Sequence, residues 1–289
     1  MGWLMEQLTD WLKQLLIDGI IENLNGLFDA TNERVAEITA QVGTTPQAWN
    51  SGIFNMIRTL SETVIVPIAG AILAFVMTLE LIQLITEKNN LHDLDTWMFF
   101  KWAFKSAAAV LIVTNTWNIV MGVFDVAQNV VSRSAGVIVG NTDLDISPVM
   151  NGLEARLENM EIGELFGLWF QSLFVGITRH AITICVFLVT YGRMIEIYLV
   201  TSVAPIPMAT MMSKEAGGMG QNYLRSLLAL GFQAFLIIVC VAIYAVLVQT
   251  ISISSDLSMA MWTCMGYTVL LCFTLFKTSS LAKSVFNAH

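Results

Sequence analysis

Any fold for this chain must first accommodate the run from Phe166 to Met212. Across about 47 residues its only side chains that carry charge near neutral pH are Arg179, His180, Arg193 and Glu196, and it closes on Ala204-Pro205-Ile206-Pro207. One unbroken helix of that length would reach roughly 70 Å, more than twice the roughly 30 Å hydrocarbon core of a bilayer. The run must bend, break or leave the membrane. Ionisable groups at membrane depth are expensive and face protein or water, so this run is also where function is expected.

The chain is 56% hydrophobic and 12% charged, with apolar blocks longer than a soluble core helix needs, which predicts an all-α polytopic membrane bundle. Five transmembrane helices are expected, at about 64–85, 106–124, 166–189, 227–250 and 259–276. Residues 1–63 form an N-terminal region of amphipathic and interfacial helices, and 64–289 the transmembrane domain. In the first region Trp3, Leu4, Leu8, Trp11, Leu12, Leu15, Leu16, Ile20, Leu24, Leu27 and Phe28 recur at helical spacing, with Glu6, Asp10, Lys13, Asp18 and Glu22 mostly elsewhere on the wheel. An acidic polar face disfavours an anionic cytoplasmic leaflet, so this helix is placed outside or against other subunits. A Gly43-Thr44-Thr45-Pro46 break starts a second short helix toward Arg58. No basic n-region precedes an early apolar core, so no cleavable signal is expected.

Orientation follows from Lys and Arg near span ends. Lys88, Lys101 and Lys105 place the first loop in the cytoplasm. The loop Val131–Leu165 sets Arg133 and Arg156 against Asp143, Asp145, Glu154, Glu158, Glu161 and Glu164, and contains a Ser147-Pro148 start signal for a short acidic helix. That loop and the linker around Asp256 are placed outside. Arg193, Lys214, Arg225, Lys277 and Lys283 all belong inside only if the opening run crosses once. Phe166 to about Val189 then crosses, and 194–212 returns as a re-entrant or interfacial segment broken at Pro205 and Pro207. The N-terminus is outside and the C-terminus cytoplasmic. A six-span alternative would put Lys214 and Arg225 outside.

The side chains with roles to play are polar groups in or beside the spans. Glu80, Asn115, Asn118, Asp125, Arg179 and His180 are the intramembrane or pore candidates. A lipid-facing guanidinium at the bilayer centre costs about 2.5–3.5 kcal/mol on insertion scales, so Arg179 faces either a lumen or an internal partner such as Glu80 or Asp125. The polar belt Thr114, Asn115, Thr116 and Asn118 bonds between helices or lines a wet passage. Arg193 and Glu196, three apart, form a local clamp. Lys214 and Arg225 meet lipid headgroups, a partner or phosphates. Gly70, Ala74, Gly231 and Ala234 offer small-residue helix contacts, and Gly217-Gly218-Met219-Gly220 reads as a flexible turn.

Enzyme chemistry is not expected. There is no GxxxxGK[ST] loop, HExxH or GxSxG, and His92, His180 and His289 are neither clustered nor near Cys185, Cys240, Cys264 or Cys272. The thiols lie in apolar spans as packing residues. No metal or cofactor is implied, and a bound phospholipid is compatible with such a surface.

The blocks Tyr191-Gly192-Arg193-Met194-Ile195-Glu196-Ile197-Tyr198, Ala204-Pro205-Ile206-Pro207-Met208-Ala209-Thr210 and Asn222-Tyr223-Leu224-Arg225-Ser226-Leu227-Leu228-Ala229-Leu230 resemble the TrbL-like polytopic subunit of conjugative type IV secretion systems, in the form carried by Gram-positive conjugative elements. That resemblance implies a non-catalytic channel or scaffold subunit in the cell membrane, forming a homo-oligomeric ring around the DNA-transfer axis. Its implied partners are a coupling ATPase, an assembly ATPase, a cell-wall hydrolase, membrane lipid and a transient protein-bound DNA strand. The competing reading is a secondary transporter or small-ion channel using Glu80, Arg179 and His180, although one broken segment and an odd span count do not suggest an inverted repeat.

Overall fold

The computed structural model describes residues 2–86, 96–139, 147–249 and 257–288. Lys88, His92, Asp143, Asp145, Asp256 and His289, used above for orientation or ligand arguments, lie outside the described residues. The described residues hold helices and no strand. They are α1 (Gly2–Val42), α2 (Pro46–Trp49), α3 (Ser51–Leu60), a π turn (Ser61–Ile65), α4 (Val66–Thr86), α5 (Thr96–Thr114), α6 (Thr116–Val139), α7 (Ser147–Glu158), α8 (Ile162–Ser202), α9 (Pro205–Thr210), α10 (Gly217–Gln249) and α11 (Leu257–Val285). Five helical stretches are long and apolar enough to cross a membrane: Ser51–Thr86, Thr96–Thr114, Ile162–Ser202, Gly217–Val248 and Leu257–Val285. The protein is an all-α polytopic membrane bundle.

Local chemistry explains the early breaks. Thr45 Oγ1 accepts the Ala48 N–H at 3.2 Å and caps α2, whose first residue is Pro46. Asn50 Oδ1 accepts the Ile53 N–H at 3.0 Å and caps α3. From there the helix runs through the π turn into α4, so the first crossing element begins well before the expected Val64.

Two further boundaries differ from expectation. The second span was expected at 106–124, but the apolar crossing helix is Thr96–Thr114. Trp97, Phe99, Phe100, Trp102 and Phe104 extend its apolar character upstream around Lys101 and Lys105, whose long stems carry the charge away from the helix axis, Lys101 to the Trp97 ring and Lys105 to Glu80. Helical bonding also passes through the joint with α6: the Asn115 N–H donates to Leu111 O and its C=O accepts from Ile119, both at 3.1 Å. The larger difference is α8, a single 41-residue helix that continues through Gly192 and Arg193 to Ser202. The expected break near residue 190 does not occur, because nothing there removes a backbone donor. The break comes at Val203–Ala204, directly ahead of Pro205.

Pro205 and Pro207 sit where a helix has no donor to lose. Pro205 and Pro207 are the first and third residues of α9, among the positions whose N–H groups lack an intrahelical partner. In a continuous helix their N–H groups would bond Thr201 O and Val203 O. Those carbonyls are taken by the N–H groups one residue earlier, Ala204 to Thr201 at 3.2 Å and Ile206 to Val203 at 3.1 Å. The backbone tightens to three-residue bonds across the break and leaves neither acceptor empty.

By internal packing the chain forms two compact units, which do not follow the expected boundary at residue 63. One comprises 1–42, 132–191 and 236–278. In it the apolar stripe of α1 (Leu16, Ile17, Ile20, Leu24 and Leu27) packs with Leu153 and Leu157 of α7, Leu165, Leu168 and Val175 of α8, and Leu257, Met261, Cys264 and Met265 of α11. The N-terminal helix therefore shares a core with parts of the spanning helices, whereas Trp3, Leu4, Leu8 and Trp11 at its start are exposed. The other unit comprises 43–131, 192–235 and 279–289. Its core joins Val120 and Phe124 of α6, Met194 and Ile197 of α8, Ala204, and Leu227 and Leu230 of α10.

Gly217–Gly220 is the first turn of α10 rather than a flexible turn. A Cβ on Gly220 would stand 2.6 Å from Pro207 O and 2.8 Å from Met211 Cα, both backbone atoms that cannot swing aside. At Gly218 nothing lies within 4 Å of an added Cβ. Gly220→Ala is expected to destabilise the detergent-solubilised protein by about 1–3 kcal/mol, as overpacking does, and Gly218→Ala to leave it unchanged or slightly more stable. Denaturant unfolding of the two variants side by side checks this.

Candidate functional site

The proline-broken segment packs into its unit against α4 and α5. Ala209 joins Ala69, Leu73 and Met77 of α4 and Ala109 and Val113 of α5 in one buried cluster, with Ile206 and Met212 against it. Pro205, Met208, Ala209 and Thr210 are buried. This is the environment that irregular backbone at membrane depth requires. The segment is accordingly shorter than expected, since 194–202 belongs to α8 and only the stretch after Ser202 is broken.

Charge closes the end of this arrangement. Glu80, in the later turns of α4 with a side chain 10% exposed, accepts from Lys105 Nζ on both oxygens, at 2.8 and 2.6 Å. Its Oε1 also accepts the Lys214 backbone N–H at 2.8 Å. One turn on, Gln83 Nε2 donates to Glu215 Oε1 at 2.7 Å. The end of α4 is thus tied both to α5 and to the turn that follows α9. Trp102 Nε1 donates to Met77 O at 3.1 Å, and Ser106 Oγ to Met77 Sδ at 3.3 Å, fixing α5 against α4. Around this node lies a cleft of about 260 Å³ lined by Glu80, Gln83, Leu84, Met98, Lys101, Trp102, Lys105 and Lys214. Three lysines and one glutamate are thus among its lining residues.

In the same unit the end of α8 is held by two tyrosine hydroxyls, an arginine and an ion pair. The Tyr198 hydroxyl donates to Pro46 O at 2.6 Å and its ring meets Trp49 at 5.9 Å between centroids. The Tyr223 hydroxyl donates to Val200 O at 3.1 Å. Arg193 and Glu196, expected to clamp each other, do interact electrostatically, and each also reaches a different neighbouring helix. Arg193, 7% exposed, points Nε at Leu230 O of α10 at 3.4 Å, and Glu196 accepts from Lys283 of α11 at 3.0 Å. Both still hold α8, but through neighbouring helices, because that is where backbone oxygen and a tail lysine are presented.

The remaining candidates are dispersed. Asn115, Asn118 and Asp125 are exposed. These hydrogen bonds of the belt are local, one turn back along the chain: Thr114 Oγ1 to Val110 O, Asn115 Nδ2 to Leu111 O and Thr116 Oγ1 to Ile112 O across the joint, each at 2.9 Å. In the other unit Arg179 is half-buried against α1, its guanidinium filling the space that Gly26 leaves open, and His180 is exposed. Glu80, offered as one partner for Arg179, is instead engaged by Lys105. Gly231 lies against Ala127, where an added Cβ would approach within 2.9 Å, and Ala234 is buried. Gly70 and Ala74 are exposed, with nothing within 4 Å of a Cβ added at Gly70. Arg225 is exposed on α10 and Lys214 beside the cleft.

Sequence reasoning treated Lys105 only as a topology marker and gave Trp102, Gln83, Tyr198 and Tyr223 no role. The signal for the first was present: an acid near the end of one span and a base near the start of the next become neighbours when the spans form a hairpin.

The family model described as TrbL/VirB6 plasmid conjugal transfer like protein matches residues 31–205, more than half of the chain. The chain belongs to this family. No curated protein and no solved structure matches it. The TrbL/VirB6-like region takes in Glu80, Lys105, Arg179, Arg193 and Glu196 and reaches Pro205, while Pro207, Lys214 and Arg225 follow it. As a TrbL/VirB6-like protein the chain is a membrane subunit of conjugative transfer.

A double-mutant cycle tests the node. Glu80→Gln and Lys105→Met should each destabilise the protein in micelles, and their coupling should be about 1–3 kcal/mol, the range of charge-assisted bonds with partial burial. Additive losses would mean the pair holds nothing together.

Proposed function

We propose that this subunit is a non-catalytic channel or scaffold component of a conjugative type IV secretion system, supporting passage of a protein-bound single DNA strand across the cytoplasmic membrane. Family membership over residues 31–205 carries the reading, and five crossing helices support it. The subunit works in a homo-oligomeric ring with a coupling ATPase, an assembly ATPase and a cell-wall hydrolase. Energy comes from those partners, because the chain has no P-loop. Its residues hold helices: Glu80 accepts bonds on both oxygens from Lys105 and from the Lys214 N–H. The same engagement of Glu80 speaks against the secondary transporter or ion channel, which needs that carboxylate to bind and release its cargo.

An in-frame deletion is expected to abolish conjugative transfer, with restoration by the gene in trans; transfer at the normal frequency without it would overturn the proposal. Orientation is tested separately with single cysteines in a cysteine-free background. A cysteine at Gln7 is expected to react with a membrane-impermeant maleimide in intact cells, and one at Ser284 only after permeabilisation. The reverse pattern would invert the topology.

A further inference from the structure

Next to the basic cleft around Glu80 lies a second cavity. A groove of about 380 Å³ runs along α4 and α5, lined among others by Gly70, Ala74, Met77, Trp102, Val110 and Val113. Trp102 borders both cavities. The groove presents almost no hydrogen-bonding capacity to a ligand, because its polar side chains are satisfied within the hairpin. Thr78 Oγ1 bonds Ala74 O at 2.8 Å, Thr114 Oγ1 bonds Val110 O at 2.9 Å, and Ser106 bonds Met77 Sδ at 3.3 Å. On the cleft side of Trp102, by contrast, the side chains of Lys101 and Lys214 are exposed, the Lys101 ammonium lying 5.7 Å from the centroid of the Trp97 ring, and of the three ammonium groups Lys105's is the one that Glu80 engages. A cationic mouth on an apolar trough is the complement of an amphiphile with an anionic head.

We propose that this hairpin binds one anionic phospholipid, its phosphate at Lys101 and Lys214 and an acyl chain along the Gly70 and Ala74 face. The two helices need a cover: only 22% and 11% of the apolar windows of Ser51–Thr86 and Thr96–Thr114 are buried within the chain, against 33–50% for the other three. Small residues at 70 and 74 keep the trough deep enough for a chain, and Trp102 at the junction suits the level of the headgroups. A second copy of the protein is the weaker occupant, since its helix would have to bring carboxylates to the depth of the lysines. Phosphate attached to an acyl chain meets both requirements at once. The inference depends on membrane embedding and not on the conjugative role.

Native mass spectrometry of the full-length protein, extracted from bilayers of equal phosphatidylglycerol and phosphatidylethanolamine, tests it. The expected result is one phosphatidylglycerol retained per chain in preference to phosphatidylethanolamine. Lys101→Gln with Lys214→Gln should weaken retention about tenfold or more, as loss of two lysines near a lipid phosphate implies. Ala74→Leu, which fills the trough without touching the lysines, should weaken it as well. Gly70→Leu is a second groove variant should the first unfold. Glycerol 3-phosphate in millimolar excess should not displace the lipid. Retention unchanged by the groove variants, or displacement by the soluble phosphate, would show an anion site without a chain site and overturn the proposal. So would a change in oligomer mass in the groove variants with lipid retention intact, which would assign the trough to a second copy.

Discussion

Two backbone donors are missing at Pro205 and Pro207, and a bilayer offers no water to compensate. The unit built around α4, α5, α9 and the start of α10 answers that constraint. Bonding to Thr201 O and Val203 O moves one residue forward, so the chain turns without leaving those acceptors empty. Hydroxyls follow the same logic: Ser202 Oγ bonds Leu199 O and Thr210 Oγ1 bonds Pro207 O, both at 2.8 Å. Once the turn is made, its apolar side chains need a bed, and Ala69, Leu73, Ala109 and Val113 supply one. Gly220 then lets α10 start against the turn.

The charged node is the polar counterpart of that packing. Glu80 could not sit among apolar helices with its oxygens empty, and Lys105 together with the Lys214 N–H fills them. Because one of its partners is a backbone N–H in the turn after α9, the carboxylate links hairpin geometry to the position of the broken segment. Glu196 with Lys283, more exposed and single-contact, contributes less by the same reasoning. The stretch that the family model matches, residues 31–205, includes the hairpin with Glu80 and Lys105, while the turn that supplies the acid's second bond comes just after it.

The fold class and the number of crossing helices were legible in the apolar blocks, and the breaks at Thr45, Asn50 and Pro205 carry local chemistry that a sequence displays. Two things were not legible. The extent of α8 was misjudged because charge placement says where a span must end relative to the membrane, not where a helix must end; Gly192 and Arg193 are compatible with helix, so the helix continues. The second span was shifted because Lys101 and Lys105 look like a boundary, whereas one of them has an acid to pair with and both stand on long apolar stems. Site residues fared worse for a related reason. A charge in an apolar run announces that it has partners without naming them all, so the Arg193 and Glu196 pairing was read without their further contacts to Leu230 and Lys283.

The account turns on the stretch after Ser202 being a packed element inside the protein rather than a loop lying free at the membrane surface. Hydrogen exchange of the protein in lipid nanodiscs addresses this directly. The N–H groups of Ile206, Met208, Met211 and Ser213, which bond Val203, Ala204, Met208 and Thr210, should exchange as slowly as those of Leu73 and Met77 in α4. Exchange within seconds across residues 206–213, with α4 still protected, would contradict it.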